Sequence, residues 1–336
     1  MSILVVGSVG LDNVQTPSGY RNKTLGGACT YFATAASLYD RVNVVAVVGT
    51  DFPREHLDFL SSRNIDLRGL QVAEGETFFW AGRYGDDLND CETLDTQLNV
   101  FAAFHPEVPA DFRDSEYVFL ANIDPNLQIE VLQQVRAPKL TALDSMNFWI
   151  TCKRESLTRA LAMVDVVFLN EYETKLYAQE SNLIVAARRL LEMGPKALVL
   201  KRGEHGAMLV TRGANLGERL FLIPAYPLEH VVDPTGAGDT FAAGFIGYLA
   251  RSGGVSGEAL RRAVVHGAVV ASFTVQDFSI DRLRTLTSEQ IQVRYDELRQ
   301  LTYFESLDGA ARQIYAKPIV HTNPKVGPTC FARDPM

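Results

Sequence analysis

Short apolar runs alternate with amphipathic stretches along most of the chain. The apolar runs lie at residues 3–6, 44–48, 117–120, 140–143, 164–169 and 197–200. Between them, hydrophobic residues recur with helical spacing at residues 28–39, 54–63, 127–135, 157–163 and 183–193. Strands that are apolar throughout and alternate with helices are typical of a parallel sheet covered on both faces. The pattern therefore predicts an α/β protein whose ligands bind at the carboxyl ends of the strands.

Two segments interrupt this alternation early in the chain. Residues 11–25 are polar and rich in turn formers, and residues 75–104 have the pattern of strands with turns between them. Long loops without secondary structure are uncommon in compact domains. The two segments therefore predict a small β-sheet lid, and ordinary surface loops are the alternative. Along the second segment Phe78 and Trp80 would face one way and Phe79 the other, because alternate residues of a strand share a face.

The last third of the chain is rich in helix and then in proline. Amphipathic stretches at residues 238–251, 257–273 and 288–301 predict three helices. Beyond them lie Pro318, Pro324, Pro328 and Pro335. We expect one domain over residues 1–300, with the lid as part of it, and a C-terminal tail over residues 301–336 with little regular structure.

Composition and charge narrow the class of protein. Of the 336 residues, 47% are hydrophobic and 21% charged, which is ordinary for a globular protein. The formal net charge of −8 speaks against a general nucleic-acid-binding protein. The four cysteines lie far apart and form no CxxC pair, so neither a zinc ribbon nor a disulfide scaffold is indicated. Neither a secretory signal nor a run of the ~18 apolar residues of a membrane helix is found. We therefore expect a cytoplasmic protein with no membrane partner.

The stretch VVDPTGAGDTFAAGFIG, residues 231–247, carries the candidate chemistry. Gly236, Ala237 and Gly238 form a tight turn directly before a predicted helix. Small residues let the backbone approach an anion, and the first amides of a helix have no partners within it, so the turn predicts an anion site. Asp239 follows in the first helical turn. Two explanations fit a carboxylate there: an N-cap, or a general base that accepts the proton of a hydroxyl attacking phosphorus.

Other motifs for phosphate binding and hydrolysis are missing from the sequence. It contains no GxxxxGK[ST] loop, which excludes a P-loop phosphotransferase, and no complete GxGxxG. It also lacks HExxH and GxSxG, so metalloproteases and α/β-hydrolases lose their main support.

Four segments, in order, resemble one known family. Residues 233–245, DPTGAGDTFAAGF, are similar to the C-terminal signature of the ribokinase-like (PfkB) carbohydrate and nucleoside kinases. The other three resemblances are to that family's glycine pair, its Asn-x-x-Glu motif and its nucleotide-binding strand and turn, and they lie at residues 26–28, 170–173 and 200–207. The matches run from about residue 3 to about residue 285. The resemblance implies a ribokinase-like three-layer α/β/α core with a mostly parallel sheet and a small β-sheet lid. It also implies a kinase that uses ATP and Mg²⁺.

The resemblance further implies roles for individual residues. Asp239 would be the base, and the amides of Gly236, Ala237 and Gly238 would stabilise the charge that grows on the transferred phosphoryl group. Asp12, Gly26 and Gly27 would bind the acceptor substrate. Asn170 and Glu173 would act through Mg²⁺, Glu173 by way of a bound water. The implied nucleotide-binding residues are Lys201, Arg202, Gly203, Gly206 and His266.

Several of these residues also have structural explanations. Asp12 fits a turn cap, and Glu173 at a helix start fits a favourable interaction with the helix dipole. Lys201 and Arg202 fit solvated charges at a strand end. His266, on an apolar helix face, is typical of a core histidine with its hydrogen bonds satisfied.

The sequence departs from the family pattern where the acceptor is expected. Sugar kinases of the family commonly continue after the glycine pair with an asparagine, and here the bulky Tyr31 follows. Tyr31 and Trp80 offer aromatic faces to a nucleobase or a sugar, although the lid aromatics also fit a small core or a dimer contact. We expect a sugar acceptor first and a nucleoside second. A nucleotide- or sugar-binding regulatory protein without turnover is the alternative from another class. Unpaired lid strand edges further predict a homodimer through the lid.

Overall fold

A large sheet of nine strands runs through the described part of the chain. The computed structural model describes residues 1–213 and 219–305. In chain order the strands of this sheet are β1 (Ser2–Val6), β4 (Arg41–Gly49), β5 (Ile65–Ala73), β8 (Tyr117–Leu120), β9 (Leu140–Asp144), β10 (Val166–Asn170), β11 (Ala197–Lys201), β12 (Ala207–Thr211) and β13 (Leu220–Ile223). Their spatial order is β13-β12-β11-β10-β9-β8-β1-β4-β5. All neighbours pair in parallel except β11–β12 and β12–β13, so the sheet is mostly parallel, as predicted.

Helices cover both faces of this sheet because its strands are apolar on both sides. The helices are α1 (Ala28–Ala36), α2 (Arg54–Ser61), α3 (Pro125–Gln134), α4 (Asn147–Cys152), α5 (Arg154–Leu161), α6 (Glu171–Ala178), α7 (Leu183–Glu192), α8 (Ala237–Ser252), α9 (Gly257–Thr274), α10 (Asp281–Arg284) and α11 (Ser288–Leu301). Ile3 and Val5 of β1 pack into a core with α1, α8 and α9. Leu4 and Val6 pack into a second core with α3, α5 and α7. The result is the three-layer α/β/α arrangement.

A second, smaller sheet is formed by the two segments that interrupt the alternation. Its strands are β2 (Gly10–Thr16), β3 (Gly19–Gly26), β6 (Phe78–Tyr84) and β7 (Cys91–Gln97), in the order β3-β2-β6-β7. The alternative of unstructured surface loops is therefore wrong. Asp12 pairs with Trp80 and Leu11 with Phe79, so Asp12 and Trp80 share one face of this sheet.

Some elements differ from the prediction for identifiable reasons. β5 has no continuous apolar run, because it is the edge strand of the large sheet and several of its side chains are partly exposed. α3 begins at Pro125 rather than at residue 127, since the Asp124 side chain accepts a hydrogen bond from the Asn126 amide and caps the helix. The short helix α4 is separated from β9 by two residues and was not predicted, whereas α6 follows β10 directly and has Glu173 in its first turn, at the helix start expected for it.

Residues Met1–Leu301 form one compact unit. Most of the predicted tail, residues 306–336, lies outside the described residues. In residues 1–213 and 219–305 no helix is long and apolar enough to span a bilayer.

Candidate active site

The loop that enters α8 is held by one buried carboxyl group. Asp233 is fully buried, and its two oxygens accept hydrogen bonds from the backbone amides of Thr235 (2.8 Å) and Ser279 (3.0 Å). The Val232 amide donates to the Val275 carbonyl at 2.7 Å. The loop is thereby fixed to the segment that follows α9, and the start of α8 is fixed with it.

The turn before α8 leaves amide donors free. Gly236 is the N-cap residue and has φ 76°, a left-handed conformation that favours glycine. The Ala237 amide donates to the Pro234 carbonyl at 3.1 Å. Within the described residues, no backbone carbonyl accepts from the amides of Gly236, Gly238 or Asp239. The anion site predicted at residues 236–238 therefore has its free donors at Gly236 and Gly238. The Asp239 amide is directed at its own carboxyl group, and the Ala237 amide is used by the Pro234 carbonyl.

Asp239 is not an N-cap. It is the third residue of α8, and the N-cap position is occupied by Gly236 without a side-chain capping hydrogen bond. The carboxyl group is only partly exposed. Burial raises the pKa of Asp239 to about 8; the nearby charges of Asp144 and Asp12 also raise it, and Lys201 opposes them. A carboxyl group with its pKa near neutrality is suited to accept a proton from a hydroxyl.

Asp12 lies beside the glycine pair at the base of the smaller sheet. Its side chain is only 3% exposed, and a Cβ on Gly26 would lie 1.9 Å from Asp12 Oδ2, so only glycine fits there. The Gly27 amide donates to the Asp12 carboxylate. Burial raises the pKa of Asp12 to about 7; the Gly27 hydrogen bond lowers it, and Asp233 adds to the increase.

Tyr31 packs directly against the turn. A Cβ on Gly236 would lie 2.2 Å from the Tyr31 ring, and the side chain is 1% exposed. Its hydroxyl is buried and has no hydrogen-bond partner among the described residues. Burial raises the pKa of Tyr31 well above its ordinary value, and the charges of Asp12, Asp233 and Asp239 add to this effect. The hydroxyl thus lies among the acidic groups of the site with its hydrogen-bonding capacity unused.

The smaller sheet contributes two aromatic side chains near this position. The Trp80 indole lies over Gly82, and its Nε1 donates to Thr93 Oγ1 at 3.4 Å. At the end of β6, Tyr84 Oη accepts a hydrogen bond from Thr235 Oγ1 at 3.2 Å. Thr235 belongs to the loop before α8, so the smaller sheet touches that loop directly.

Lys201 lies on the other side of the turn. Its Nζ donates to Asp144 Oδ2 at 2.6 Å, and a Cβ on Gly238 would lie 3.1 Å from the same nitrogen. Burial lowers the pKa of Lys201, but the charges of Asp144 and Glu173 outweigh this effect and raise it. Lys201 is therefore an ammonium group beside the anion site rather than a solvated charge.

Asn170 and Glu173 form a capping box at the start of α6. The Asn170 side chain accepts from the Glu173 amide, and Glu173 Oε2 accepts from the Asn170 amide, both at 2.7 Å. Burial raises the pKa of Glu173 to about 7; Lys201 lowers it and Asp144 raises it. Glu173 Oε1 accepts no hydrogen bond from the described residues.

The remaining predicted nucleotide residues form a glycine turn after β11. The Arg202 amide donates to the Gly206 carbonyl at 2.9 Å, and the Arg202 side chain pairs with Glu171 at 3.3 Å. Gly203 lies against Asn89, in the turn between β6 and β7, and Asn89 Nδ2 donates to Glu204 Oε1 at 3.4 Å. The Arg202 side chain is thus engaged away from Lys201.

The structure does not bring His266 to this site. His266 Nδ1 lies 3.1 Å from Tyr39 Oη, and its ring stacks on Tyr248 at 4.4 Å. Tyr39 packs on Gly247, about 16 Å along α8 from Gly236 at the usual helical rise. Burial lowers the pKa of His266 to about 4. The core histidine explanation fits these contacts, and the geometry does not support a nucleotide contact.

The sequence did not predict the contacts that three residues make in the site: Asp144, Asp233 and Tyr84. Asp144 ends a predicted strand, which placed it at the right edge of the sheet, but nothing in the sequence pairs it with Lys201. Asp233 precedes a proline and gives no sign of its bond to Ser279. Tyr84 is one of several lid aromatics, and the alternation of the strand does not say which one reaches the loop.

The fold and the site together define a phosphoryl-transfer enzyme of the α/β class. Free amides at a helix N-terminus and an ammonium group are arranged to bind phosphate, and a carboxyl group lies within the same turn. Comparison with known proteins agrees. The model of the pfkB family carbohydrate kinases matches residues 3–282, and the chain belongs to this family. It is an ATP-dependent kinase of the carbohydrate and nucleoside kinase class, a phosphotransferase with an alcohol group as acceptor.

Three relatives illustrate the similarity. A cytidine kinase of Thermococcus kodakarensis is 32% identical over 260 residues, which cover 75% of this chain and 89% of that protein. The structure of Methanocaldococcus jannaschii nucleoside kinase superposes with a TM-score of 0.69 at 21% identity and covers 88% of this chain and 98% of that one. The third relative is aminoimidazole riboside kinase from Salmonella enterica, complexed with aminoimidazole riboside and an ATP analogue. It superposes with a TM-score of 0.68 at 18% identity, and the match covers 88% of this chain and all of that one.

We predict that the ligand-free protein becomes less stable as the pH rises. Burial raises the pKa values of Asp12 and Glu173 to about 7 and that of Asp239 to about 8. The folded state therefore keeps protons that the unfolded chain releases above about pH 4, so the stabilisation is complete below about pH 4 and is lost as the pH rises through about 7 to 8. Thermal unfolding followed by circular dichroism at pH 5 and pH 8 measures the effect.

Asp239→Asn tests the contribution of one of these groups. Asparagine cannot ionise, so the variant should gain about 3 °C or more in Tm at pH 8 and clearly less at pH 5, where only part of the destabilisation is present. Asp58→Asn, at an exposed position on α2, is the control and should leave the pH dependence unchanged. An equal gain at both pH values contradicts the assignment to Asp239.

Proposed function

We propose that this protein is an ATP-dependent nucleoside kinase in which Asp239 is the general base. The observation that carries the proposal is the position of the Asp239 carboxyl group in the same turn as the free amides of Gly236 and Gly238. A hydroxyl within hydrogen-bond reach of Asp239 would face a phosphoryl group held by those amides. In-line transfer needs both positions to be occupied at once.

Each side of the reaction has its own residues. The acceptor would lie between Asp12, Tyr31 and Asp239, where the Asp12 carboxylate accepts hydrogen bonds from its hydroxyls. The donor ATP would lie along the ends of β10 and β11, with its terminal phosphate at the turn before α8. As the acceptor oxygen bonds to phosphorus, its proton passes to Asp239, and the amides and Lys201 stabilise the charge on the phosphoryl oxygens.

Magnesium fits the oxygen ligands available near β10. No group of three or more His, Cys, Asp or Glu side chains among residues 1–213 and 219–305 is placed to hold a metal. Mg²⁺ usually needs fewer, because it keeps several waters and takes one or two carboxylates together with substrate phosphates. Glu173 Oε1 is free for such a role, directly or through water, and Asn170 holds Glu173 in place. Bound Mg²⁺ would neutralise part of the phosphate charge.

A nucleoside fits the acceptor side better than a sugar alone, which revises our first expectation. The Trp80 indole lies on the face of the smaller sheet that carries Asp12, and aromatic faces bind nucleobases by stacking. A ribose on Asp12 would place its base toward this surface. The cytidine kinase, the nucleoside kinase and the riboside complex among the relatives support the same class of acceptor. A simple sugar is the second candidate, since the family is described by carbohydrate kinases.

A substrate panel tests the class of acceptor. With ATP, we expect cytidine, uridine or adenosine to give a kcat/KM at least about 10-fold above that of ribose or fructose, which corresponds to about 1.4 kcal/mol of added binding by the base. ADP formation in a coupled assay measures the rate, and ATP hydrolysis without acceptor is the background. Reaction with sugars alone would return the assignment to a sugar kinase.

Asp239→Asn separates an enzyme from a binding protein. Loss of the base should lower kcat by about 10²–10⁴-fold while nucleotide affinity, measured by calorimetry, is retained. If the wild type and the variant both bind nucleotide and neither phosphorylates any acceptor in the panel, the regulatory-protein alternative is favoured.

Tyr31→Phe tests whether the unpartnered hydroxyl serves the acceptor. We expect kcat/KM for the acceptor to fall by about 10-fold, because a hydrogen bond to the substrate is lost. The Tm should stay the same or rise, because the hydroxyl has no partner in residues 1–213 and 219–305. Tyr117→Phe is the matched control: its hydroxyl is also buried without a partner, but it lies at the amino end of β8. A loss of stability without a loss of affinity would assign Tyr31 a packing role.

A further inference from the structure

The ion pair between Lys201 and Asp144 lies at the point where the transferred phosphoryl group is expected. Lys201 ends β11 and Asp144 ends β9, with β10 between them. Lys201 Nζ is 2.6 Å from Asp144 Oδ2 and 3.1 Å from the position of a Cβ on Gly238. Gly238 directly precedes the proposed base. An atom beside Gly238 is therefore beside the group that the acceptor attacks, rather than beside the distal part of the nucleotide.

The two side chains of the ion pair differ in their exposure and in their free hydrogen-bonding capacity. The Asp144 side chain is 4% exposed, and that of Lys201 is 20% exposed. Both oxygens of Asp144 are used, since Oδ1 accepts from the Ser145 amide at 2.8 Å. The ammonium group has three N–H bonds, and among the described residues only Asp144 accepts one. The carboxylate is thus fixed in the protein, and the ammonium keeps donors for a ligand.

Stability alone does not explain this pair. A buried ion pair contributes little net stability, because desolvation offsets the attraction between the charges. The cation has a use in the site, because the carboxyl groups of Asp144, Glu173 and Asp239 lie near it and the phosphates of ATP would add further negative charge. Arg202 does not supply this positive charge, because its guanidinium group pairs with Glu171.

We propose that Lys201 is a catalytic residue whose ammonium group contacts the transferred phosphoryl group, and that Asp144 is the positioning residue that holds it beside Gly238. The inference rests on the proposed kinase function and adds to it a cation from the protein. The amides of the turn supply fixed dipoles, and Lys201 supplies a full positive charge at the oxygens where negative charge is redistributed during transfer.

Lys201→Met and Asp144→Asn test the two roles by their effect on turnover. Lys201→Met should lower kcat by about 10²–10³-fold with little change in the KM for the acceptor. Asp144→Asn should lower kcat less, by about 10-fold, and the double variant should be no worse than Lys201→Met, because the two residues act as one unit. Lys201→Arg, which keeps the charge, should retain more activity than Lys201→Met.

Lys196→Met is the matched control. Lys196 directly precedes β11, and its Nζ lies 2.7 Å from Asp165 Oδ1, so it forms a lysine–aspartate ion pair, here an exposed one, at the opposite end of the same strand. The control should change kcat by less than about 2-fold. Circular dichroism and Tm establish that each variant is folded. If Lys201→Met is not folded, Asp144→Asn decides the question, and an unchanged kcat in that variant overturns the proposal.

A binding measurement decides the inference without turnover. AMP-PNP carries a γ-phosphoryl group and ADP does not. Lys201→Met should therefore weaken the binding of AMP-PNP by about 10-fold or more and that of ADP by less than about 3-fold. Equal losses for both nucleotides would place Lys201 on the other phosphates and overturn the proposal. If the wild type binds AMP-PNP but phosphorylates no acceptor, the proposed function fails while this comparison still tests Lys201.

Discussion

The buried carboxyl group of Asp233 is the constraint on which the geometry of the site depends. It joins the loop before α8 to Ser279, 46 residues further along the chain, and the Ser279 side chain donates to the Leu25 carbonyl at the end of β3. Three segments that are distant in sequence are thereby fixed to one another: the turn with the free amides, the segment after α9 and the base of the smaller sheet. Because these segments meet, Asp12 lies near enough to Asp239 for its charge to raise the pKa of Asp239.

This geometry brings several buried carboxyl groups close together, and their ionisation lowers the stability of the folded protein. Burial disfavours the ionised forms of Asp12, Glu173 and Asp239, which is why their pKa values are raised. The surrounding cores can tolerate this because the central strands are apolar on both faces and fully packed. Burial of these carboxyl groups thus lowers the stability of the protein, but it provides a base that is desolvated and would lie close to the acceptor.

The sequence predicts local features of this protein well and pairings poorly. Apolar runs predict the buried strands, and the turn at residues 236–238 predicts an anion site, because both depend on residues adjacent in the chain. The edge strand β5 is missed because one-sided burial weakens its pattern. The pair between Lys201 and Asp144, and the bonds of Asp233, join residues far apart, and no local pattern encodes them. His266 shows the converse: the family resemblance placed it at the nucleotide, but three tyrosines, Tyr39, Tyr248 and Tyr295, surround it in the core.

The smaller sheet connects the two sides of the reaction. At the end of β6, Tyr84 accepts a hydrogen bond from Thr235 in the loop before α8, and in the turn that follows, Asn89 donates to Glu204 in the glycine turn after β11. The same strand carries Trp80 beside Asp12. One hairpin therefore contacts the acceptor side, the anion turn and the segment assigned to the nucleotide. Because transfer to water competes with transfer to the acceptor, contacts from one hairpin to all three would help to exclude water from the reacting groups.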